Sequence, residues 1–413
     1  MAASVEFNSY PTIKLPRKWK FLALSYNIAE HPPSRAVVDQ LCTTVENANF
    51  SFVVISLQEI RPAERMGMKM NQTWREQFHM ALWEHGFMGV CSSYMMTNLL
   101  MVYTKTTVYP VIDCCKFSYS KDLYNGAKGT IGVVIKLRGN DNLMFLGSHF
   151  AHDASKVAFR IAEAKCVRKL VHKAKQQHNV KAVVWMGDLN FRNVGVDSNT
   201  LATELENKDE DEDFLSKVID RYDQMLAVSR SEHAFHGFEE APITFKPTYR
   251  MLMGTSDFDL LRVPSWTDRI LFDNFQSLRY DSLPQITYSD HSPVFSELEY
   301  EFTHAMTNQW DVRFEPVNTW YAGISFQINF DGKAFWNARG SVWDWLGVYQ
   351  VPNVNDRCAI SFTNIMLCVD YGTHYMAEFM ILPPGDYLVA YHSYHCGCIK
   401  GISNIFTVKE LAL

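Results

Sequence analysis

The segment KAVVWMGDLNFR, Lys181–Arg192, carries an apolar run straight into Asp188, Asn190 and Arg192. Other apolar runs end in the same way: Asn27 closes FLALSYN, Glu59 closes FVVISLQE and His149 closes MFLGSH. Two later runs open on polar residues, with Asp268 and Arg269 before ILF, and the neighbours Asp290 and His291 before SPVF. Any one of these is an ordinary turn former. Together they offer carboxylates, amides and imidazoles at strand ends, which a sheet brings to one rim however far apart they lie in the chain.

That set of groups suits attack by water on a phosphate ester, assisted by a hard divalent metal. Mg2+ takes oxygen ligands and few protein carboxylates, leaving the rest of its shell to water and phosphate. Glu59 fits this role, with Asn27 as a neutral oxygen partner. In-line attack also needs a carboxylate to orient water and donors that spread charge over the phosphoryl oxygens. Asp188 is the candidate for the first task, and Asn190, His149 and His291 are candidates for the second. An imidazole beside phosphate needs a carboxylate to hold its tautomer or charge, which points to Asp268. On an extended segment alternate side chains share a face, so Asp188 and Asn190 are expected to point together, with Arg192 following if extension continues. Gly187 would let a second backbone approach closely.

Elements able to position these groups are legible in the pattern. Short β-rich runs recur through the first three hundred residues, and KVAFRIAEAKCVRKLVHKAKQQ, 156–177, has apolar residues at helical spacing. A layered α/β domain is expected, with helices covering the sheets. Past residue 302 seven short apolar runs follow one another between turn signals, as in a β-sandwich, with the joint in EYEFTHAMTNQ, 299–309. Trp343, Trp345 and Tyr349 are expected in that sandwich's core. The HSYHCGC cluster, His392–Cys398, is half of a zinc site at most and reads as a strand and turn. The acidic ELENKDEDEDF, 204–214, lacks calcium-loop spacing and reads as a solvated face or loop.

Composition sets outer limits. The 413 residues are 47% hydrophobic and 20% charged, which suits two domains with cores of their own. No apolar run approaches a membrane span, and the first ten residues carry neither a secretion-signal nor a myristoylation pattern. Nine cysteines, an odd number, suit buried thiols in a reducing cytoplasm. A net charge of −6 argues against a general nucleic-acid surface while leaving room for a local basic pocket.

The segments WMGDLNFR, PSWTDRILF and SDHSPVF, in this order, resemble the signatures of the inositol polyphosphate 5-phosphatases, within the endonuclease, exonuclease and phosphatase superfamily. The resemblance runs over residues 15–302 and implies a four-layer α/β sandwich, Mg2+ dependence and removal of the 5-position phosphate from inositol lipids or soluble inositol phosphates. It implies site roles for Asn27, Glu59, His149, Asp188, Asn190, Asp268, Asp290 and His291. It further implies that Lys128, Arg192, Tyr249, Arg250 and Arg262 contact substrate. Departures lie around the expected neighbouring 4-phosphate. Leu260 stands where the family often has Lys, Ala127 where it prefers Asn, and SHFAHD is one residue short before His152. Altered selectivity for the 4-phosphate follows as an expectation. Residues 308–410 resemble a SKICH domain, an immunoglobulin-like all-β sandwich, through WDWLGVYQV and the LPPGDYLVAYHSYHCGCIKGISNIFTV stretch. That resemblance implies phosphoinositide headgroups and a protein as partners, in the cytoplasm with transient recruitment to membranes. A nuclease of the same superfamily would share the site but favour a basic domain. A catalytically weak scaffold acting through the C-terminal module is the other alternative.

Overall fold

A computed structural model describes residues 12–46, 49–61, 73–124, 128–207, 212–232, 234–352, 354 and 359–411. Strands β1 (Lys18–Asn27), β2 (Phe50–Gln58), β3 (Phe87–Met95), β4 (Asn98–Lys105), β5 (Ile112–Tyr124), β6 (Lys128–Leu137), β7 (Asn142–His149), β8 (Val180–Asp188), β9 (Asp268–Asp273), β10 (Gln276–Ser282) and β11 (Val294–Glu301) build two sheets. One has the order β10-β11-β1-β2-β4-β3 and the other the order β5-β6-β7-β8-β9. The central strands are buried at nearly every position, as in β2, β7 and β8, so each sheet buries both faces. Phe21, Phe52, Phe145 and Val184 meet between the sheets. Helices α1 (Arg35–Glu46) and α2 (Trp74–Glu84) cover the outer face of the first sheet through Leu41, Phe78 and Leu82. Across the molecule α3 (Val157–His178) covers the second sheet through Ala164, Val167 and Val171, joined by Met225 and Val228. The result is helix, sheet, sheet and helix in four layers.

Local chemistry fixes the helix ends. Thr73 caps α2, its hydroxyl accepting from the Glu76 amide while the Glu76 carboxylate accepts from the Thr73 amide. Asn179 ends α3 in the left-handed conformation. The acidic 204–214 stretch is helical on both sides, ending α4 (Ser198–Asn207) and opening α5 (Glu212–Tyr222); its middle, 208–211, lies outside the described residues. A further helix, α6 (Gln224–Glu232), follows directly.

Past residue 308 the chain is strand-rich, with α7 (Lys333–Arg339) its one α-helix among the described residues, where sequence pattern had offered strands alone. Ten short strands replace the seven expected runs: β12 (Arg313–Phe314), β13 (Thr319–Tyr321), β14 (Ser325–Asp331), β15 (Trp345–Gln350), β16 (Ser361–Asn364), β17 (Val369–Asp370), β18 (Tyr375–Ile381), β19 (Gly385–Ser393), β20 (Cys398–Ile402) and β21 (Phe406–Lys409). They form a sheet of order β12-β14-β18-β17 and another of order β13-β21-β19-β15-β16, with β20 also on β19. Phe326 of the first sheet stacks on Phe406 of the second, their ring centroids 4.7 Å apart. Tyr349 is fully buried and Trp345 half-buried against His392, but Trp343 is 65% exposed and outside the core. Its place on the turn before β15 turns it to solvent, where alternation along an assumed strand would have buried it.

The HSYHCGC segment is the turn from β19 into β20, and it docks on β5. The Cys396 carbonyl accepts from the Cys115 amide at 3.0 Å, and the Cys115 thiol contacts the Gly397 carbonyl at 2.8 Å. Buried Lys400 donates to the Ile112 and Asp113 carbonyls at 3.0 and 2.9 Å. Apolar residues of both regions belong to one continuous core. All eight described cysteines are free thiols.

Candidate active site

Strand register aligns the site. Gly129 of β6 pairs with His149 of β7, His149 with Asp188 of β8, and Asp188 with Asp268 of β9. One row across the end of the second sheet therefore carries an imidazole and two carboxylates. Gly187 makes the row possible: its φ is +147°, and a Cβ there would lie 2.0 Å from the Ser148 carbonyl oxygen. At the facing end of the first sheet Asn27 pairs with Gln58, and Glu59 follows. The Asn27 amide donates to Asp188 Oδ2 at 3.1 Å, tying the two sheets together at the site, while its carbonyl oxygen accepts from the Ala29 amide at 3.0 Å.

Two histidines converge on Asp188. His149 Nε2 lies 3.4 Å and His291 Nε2 4.0 Å from Asp188 Oδ2. Asp268 Oδ2 receives Thr248 Oγ1 at 2.7 Å, Thr267 Oγ1 at 2.9 Å and His291 Nδ1 at 2.8 Å. Asp268 therefore meets His291, where the sequence pattern names it as the holder of an imidazole without fixing which. The threonines that hold Asp268 were not read from sequence; Thr267 is its neighbour and was open to notice, but Thr248 lies twenty residues away and carried no signal.

The two imidazoles titrate in opposite directions. Burial, with help from the Lys128 ammonium, holds His149 below its usual pKa against the pull of Asp188 and Glu59. Burial is also the largest influence on His291 and lowers it, but Asp268, Asp188 and Asp290 together outweigh it and raise the group to about 9. His149 is thus neutral and His291 cationic at neutral pH. Burial alone would raise Asp188; the His149 hydrogen bond and the charges of His291 and Lys128 overcome it and keep the carboxylate ionised.

The expected extension past Asp188 does not occur. Strand β8 stops there, Asn190 has a φ of +57°, and its amide donates back to Asp188 Oδ1 at 3.0 Å. A side-chain oxygen that captures the amide two residues on bends the chain into a turn. Asn190 still joins the site, donating to the Phe150 carbonyl at 3.1 Å and receiving Arg192 Nη2 on its own oxygen. Arg192 lies over the Tyr249 ring at 4.3 Å, and the Tyr249 ring lies 4.5 Å from that of His291.

At the rim the Glu59 carboxylate is 36% exposed, with Oε1 3.5 Å from His149 Nε2 and 3.9 Å from Lys128 Nζ. Lys128 also meets His149 Nε2 directly. Arg250 Nε lies 3.3 Å from both Asp259 and Asp290. Asp290 thus sits beside Arg250, and its charge also reaches His291. Arg262, Arg192, Tyr249 and His152 line an adjoining pocket of about 260 Å³. Ala127 lies outside the described residues.

Behind the site, buried Arg160 donates to the Ala151 and Asp153 carbonyls and to Gln224 Oε1, and Glu163 accepts the Ala151 amide at 3.0 Å. Together they brace the loop that follows His149. Both lie on α3, where helical periodicity alone gives no hint of this duty.

This arrangement of facing sheets and convergent strand ends matches that of known proteins. The chain belongs to endonuclease/exonuclease/phosphatase family 2, whose model matches residues 24–297. More particularly, it is 34% identical over 190 residues to type IV inositol polyphosphate 5-phosphatase 11 of Arabidopsis thaliana, covering 42% of this chain and 54% of that protein. With human phosphatidylinositol 4,5-bisphosphate 5-phosphatase A it is 25% identical over 98% of its own length and 43% of the other's. The chain thus spans about half the length of these two relatives. Mouse inositol polyphosphate 5-phosphatase K is 23% identical, over 96% of this chain and 92% of that one. Among solved structures, the inositol polyphosphate 5-phosphatase domain of Spsynaptojanin superposes with a TM-score of 0.59 at 24% identity, over 72% of this chain and 87% of that one. A Cimex nitrophorin superposes with a TM-score of 0.57 at 19% identity, over 69% and 99%. The second likeness shows that the fold carries more than one function, so the side chains must decide.

Proposed function

We propose that this protein is a Mg2+-dependent phosphatase that removes the 5-position phosphate from phosphoinositides, the 4,5-bisphosphate and 3,4,5-trisphosphate lipids, and from soluble inositol polyphosphates. The observation that carries the reading is the approach of a neutral and a cationic imidazole to one oxygen of Asp188, each from a different strand end. Several relatives are named as 5-phosphatases, which supports the substrate class.

The donor set fits a hard cation. Glu59, Asp188 and Asp268 stand against Lys128, Arg192 and protonated His291, so an incoming phosphate dianion adds charge that a divalent cation offsets. Glu59 would hold the ion, with the Asn27 carbonyl beside it, and Asp268 Oδ1 is buried without a hydrogen-bond partner. When bound, the metal supplies neutralising charge at the phosphoryl oxygens and the leaving oxygen.

The protein's own groups do the rest. Asp188, ionised and fixed by Asn27 and the Asn190 amide, orients the attacking water. Protonated His291, steadied by Asp268, binds the scissile phosphate, and Asn190 and His149 complete the cradle. Lys128, Arg192, Tyr249, Arg250 and Arg262 line the mouth for further phosphates of the ring. Residues 308–410 act as a SKICH-like module, and the order of the two domains resembles the skeletal-muscle and kidney enriched inositol phosphatase.

The test is phosphate release from a panel of inositol lipids and soluble inositol phosphates with and without Mg2+, beside Asp188→Ala and an abasic DNA. Release from the 5-position that the variant loses supports the reading. Cleavage of the DNA alone moves the protein to the nucleases, and inactivity on every substrate leaves a scaffold.

A further inference from the structure

The loops that follow β7 and β8 are joined through one half-buried side chain, Gln224, the first residue of α6. Its Oε1 accepts from Arg160 Nη2 at 2.8 Å and from the Arg192 amide at 3.1 Å, and its Nε2 donates to the Ala154 carbonyl at 3.2 Å. Its own amide donates to the Arg192 carbonyl at 3.0 Å. Gln224 thus grips Arg192 by both of that residue's backbone groups, and grips the Asp153–Ala154 loop directly and through Arg160. Buried Asp223 fixes its place, capping α6 by accepting the Leu226 amide at 2.7 Å and accepting Arg269 Nη1 at 3.1 Å. An amide side chain has both the acceptor and the donor that these contacts use.

Both backbones so joined wall the pocket of about 260 Å³ beside the site, with His152, Asp153, Ala154 and Arg192 among its lining. Two observations give the joint a purpose beyond stability. Asp153 has a φ of +85°, in the region that favours glycine, and such a residue persists where its surroundings hold it; here Arg160 holds its carbonyl. Arg192 Nε is buried without a hydrogen-bond partner, a cost that stability alone does not explain. Arg192 and Arg262 stand in the pocket against the single carboxylate of Asp153, which is turned to Ser155, so the lining suits phosphate. We propose that Gln224 is a positioning residue that sets specificity: by holding the Arg192 backbone and the Asp153–Ala154 loop in one geometry, it sizes this pocket for a second phosphate beside the scissile one. The proposal rests on the phosphatase reading and deepens it, since Gln224 itself touches no reacting atom. A guanidinium grips phosphate through a fixed fork, so a shift of about 1 Å in the Arg192 backbone is enough to spoil the contact.

The experiment compares the full chain with Gln224→Leu and Gln224→Glu on two water-soluble compounds, inositol 4,5-bisphosphate and inositol 5-monophosphate. Gln224→Leu removes every side-chain bond of the joint, whereas Gln224→Glu keeps the acceptor for Arg160 and the Arg192 amide and loses the donor to Ala154. The leucine variant is expected to raise KM for the bisphosphate about tenfold with kcat within about twofold, and to leave kcat/KM for the monophosphate within about twofold. The glutamate variant should raise the bisphosphate KM about threefold, on that compound alone. A fall in kcat as large as the rise in KM, or an equal loss on both compounds, makes Gln224 merely structural and overturns the proposal. An unchanged bisphosphate KM in both variants overturns it too, as does an unchanged KM in Gln224→Glu where circular dichroism shows Gln224→Leu unfolded. Absence of turnover by the parent on both compounds sinks the phosphatase reading; equilibrium binding then judges Gln224, and equal affinity of parent and variants for the bisphosphate overturns its role.

Discussion

The two regions of the molecule treat buried polarity differently. In the strand-rich C-terminal region Asp344 is fully buried and accepts from the Tyr391 hydroxyl at 2.8 Å, the Tyr394 amide at 2.8 Å and the Ser341 amide at 3.3 Å. Among the described residues, no buried side-chain polar atom of that region lacks a partner. In the first domain Asp268 Oδ1, Glu163 Oε1 and Arg192 Nε, at or just behind the site, have none. An unmet buried group costs free energy, so it persists where something other than stability maintains it. His178 Nδ1, at the far end of α3, is unmet as well, so of these groups only Asp268 Oδ1 and Arg192 Nε, which border the cleft, bear on a ligand.

Substitutions sharpen that contrast. Asp188→Asn should cost the most, about a thousandfold in turnover, with unchanged far-ultraviolet circular dichroism. A parallel loss of helix and strand signal would make Asp188 a structural residue and erase the contrast. Asp268→Asn acts through His291 and should lower kcat about ten- to a hundredfold while moving the alkaline limb of the pH profile to lower pH. The sign follows from the raised pKa. His291 gains its proton's partner on folding, so the stabilisation is fully present below the unfolded value of about 6.5 and is lost as pH rises through about 9. Activity of the parent should fall over that alkaline window, and a profile flat to pH 10 would contradict the pairing.

In the sandwich the effects move from rate to stability. Asp344→Ala strands a hydroxyl and two amides, and should cost about 3 kcal/mol in urea unfolding with turnover at the parental level once folded. The smallest change belongs to Trp343→Ala, within about 0.5 kcal/mol, because that side chain is largely in water. A loss of several kcal/mol would return Trp343 to the core.

Much of the site could be read from the chain because its groups sit where apolar runs stop. Asn27, Glu59, His149 and Asp188 each end a strand or follow one directly, and short dense apolar runs mark strands buried on both faces. What pattern does not encode is what the backbone does next. The turn at Asn190 arises from one side chain capturing one amide, and the pairing of Asp290 with Arg250 joins two separate loop segments. Thr248 reaches Asp268 from a separate segment, and Arg160 links the nearby Ala151 and Asp153 carbonyls to the distant Gln224. The HSYHCGC segment is the strand and turn that its pattern suggests, but its docking on β5, nearly three hundred residues earlier, leaves no mark in that pattern.

The docking of that turn has a mechanical consequence. Because Lys400 plugs the end of β5 and both regions share one core, the sandwich is not a flag on a tether but a fixed bracket. A force applied to the far end of the C-terminal strands is therefore passed through β5 into the sheet that carries His149 and Asp188, as a lever passes load to its pivot.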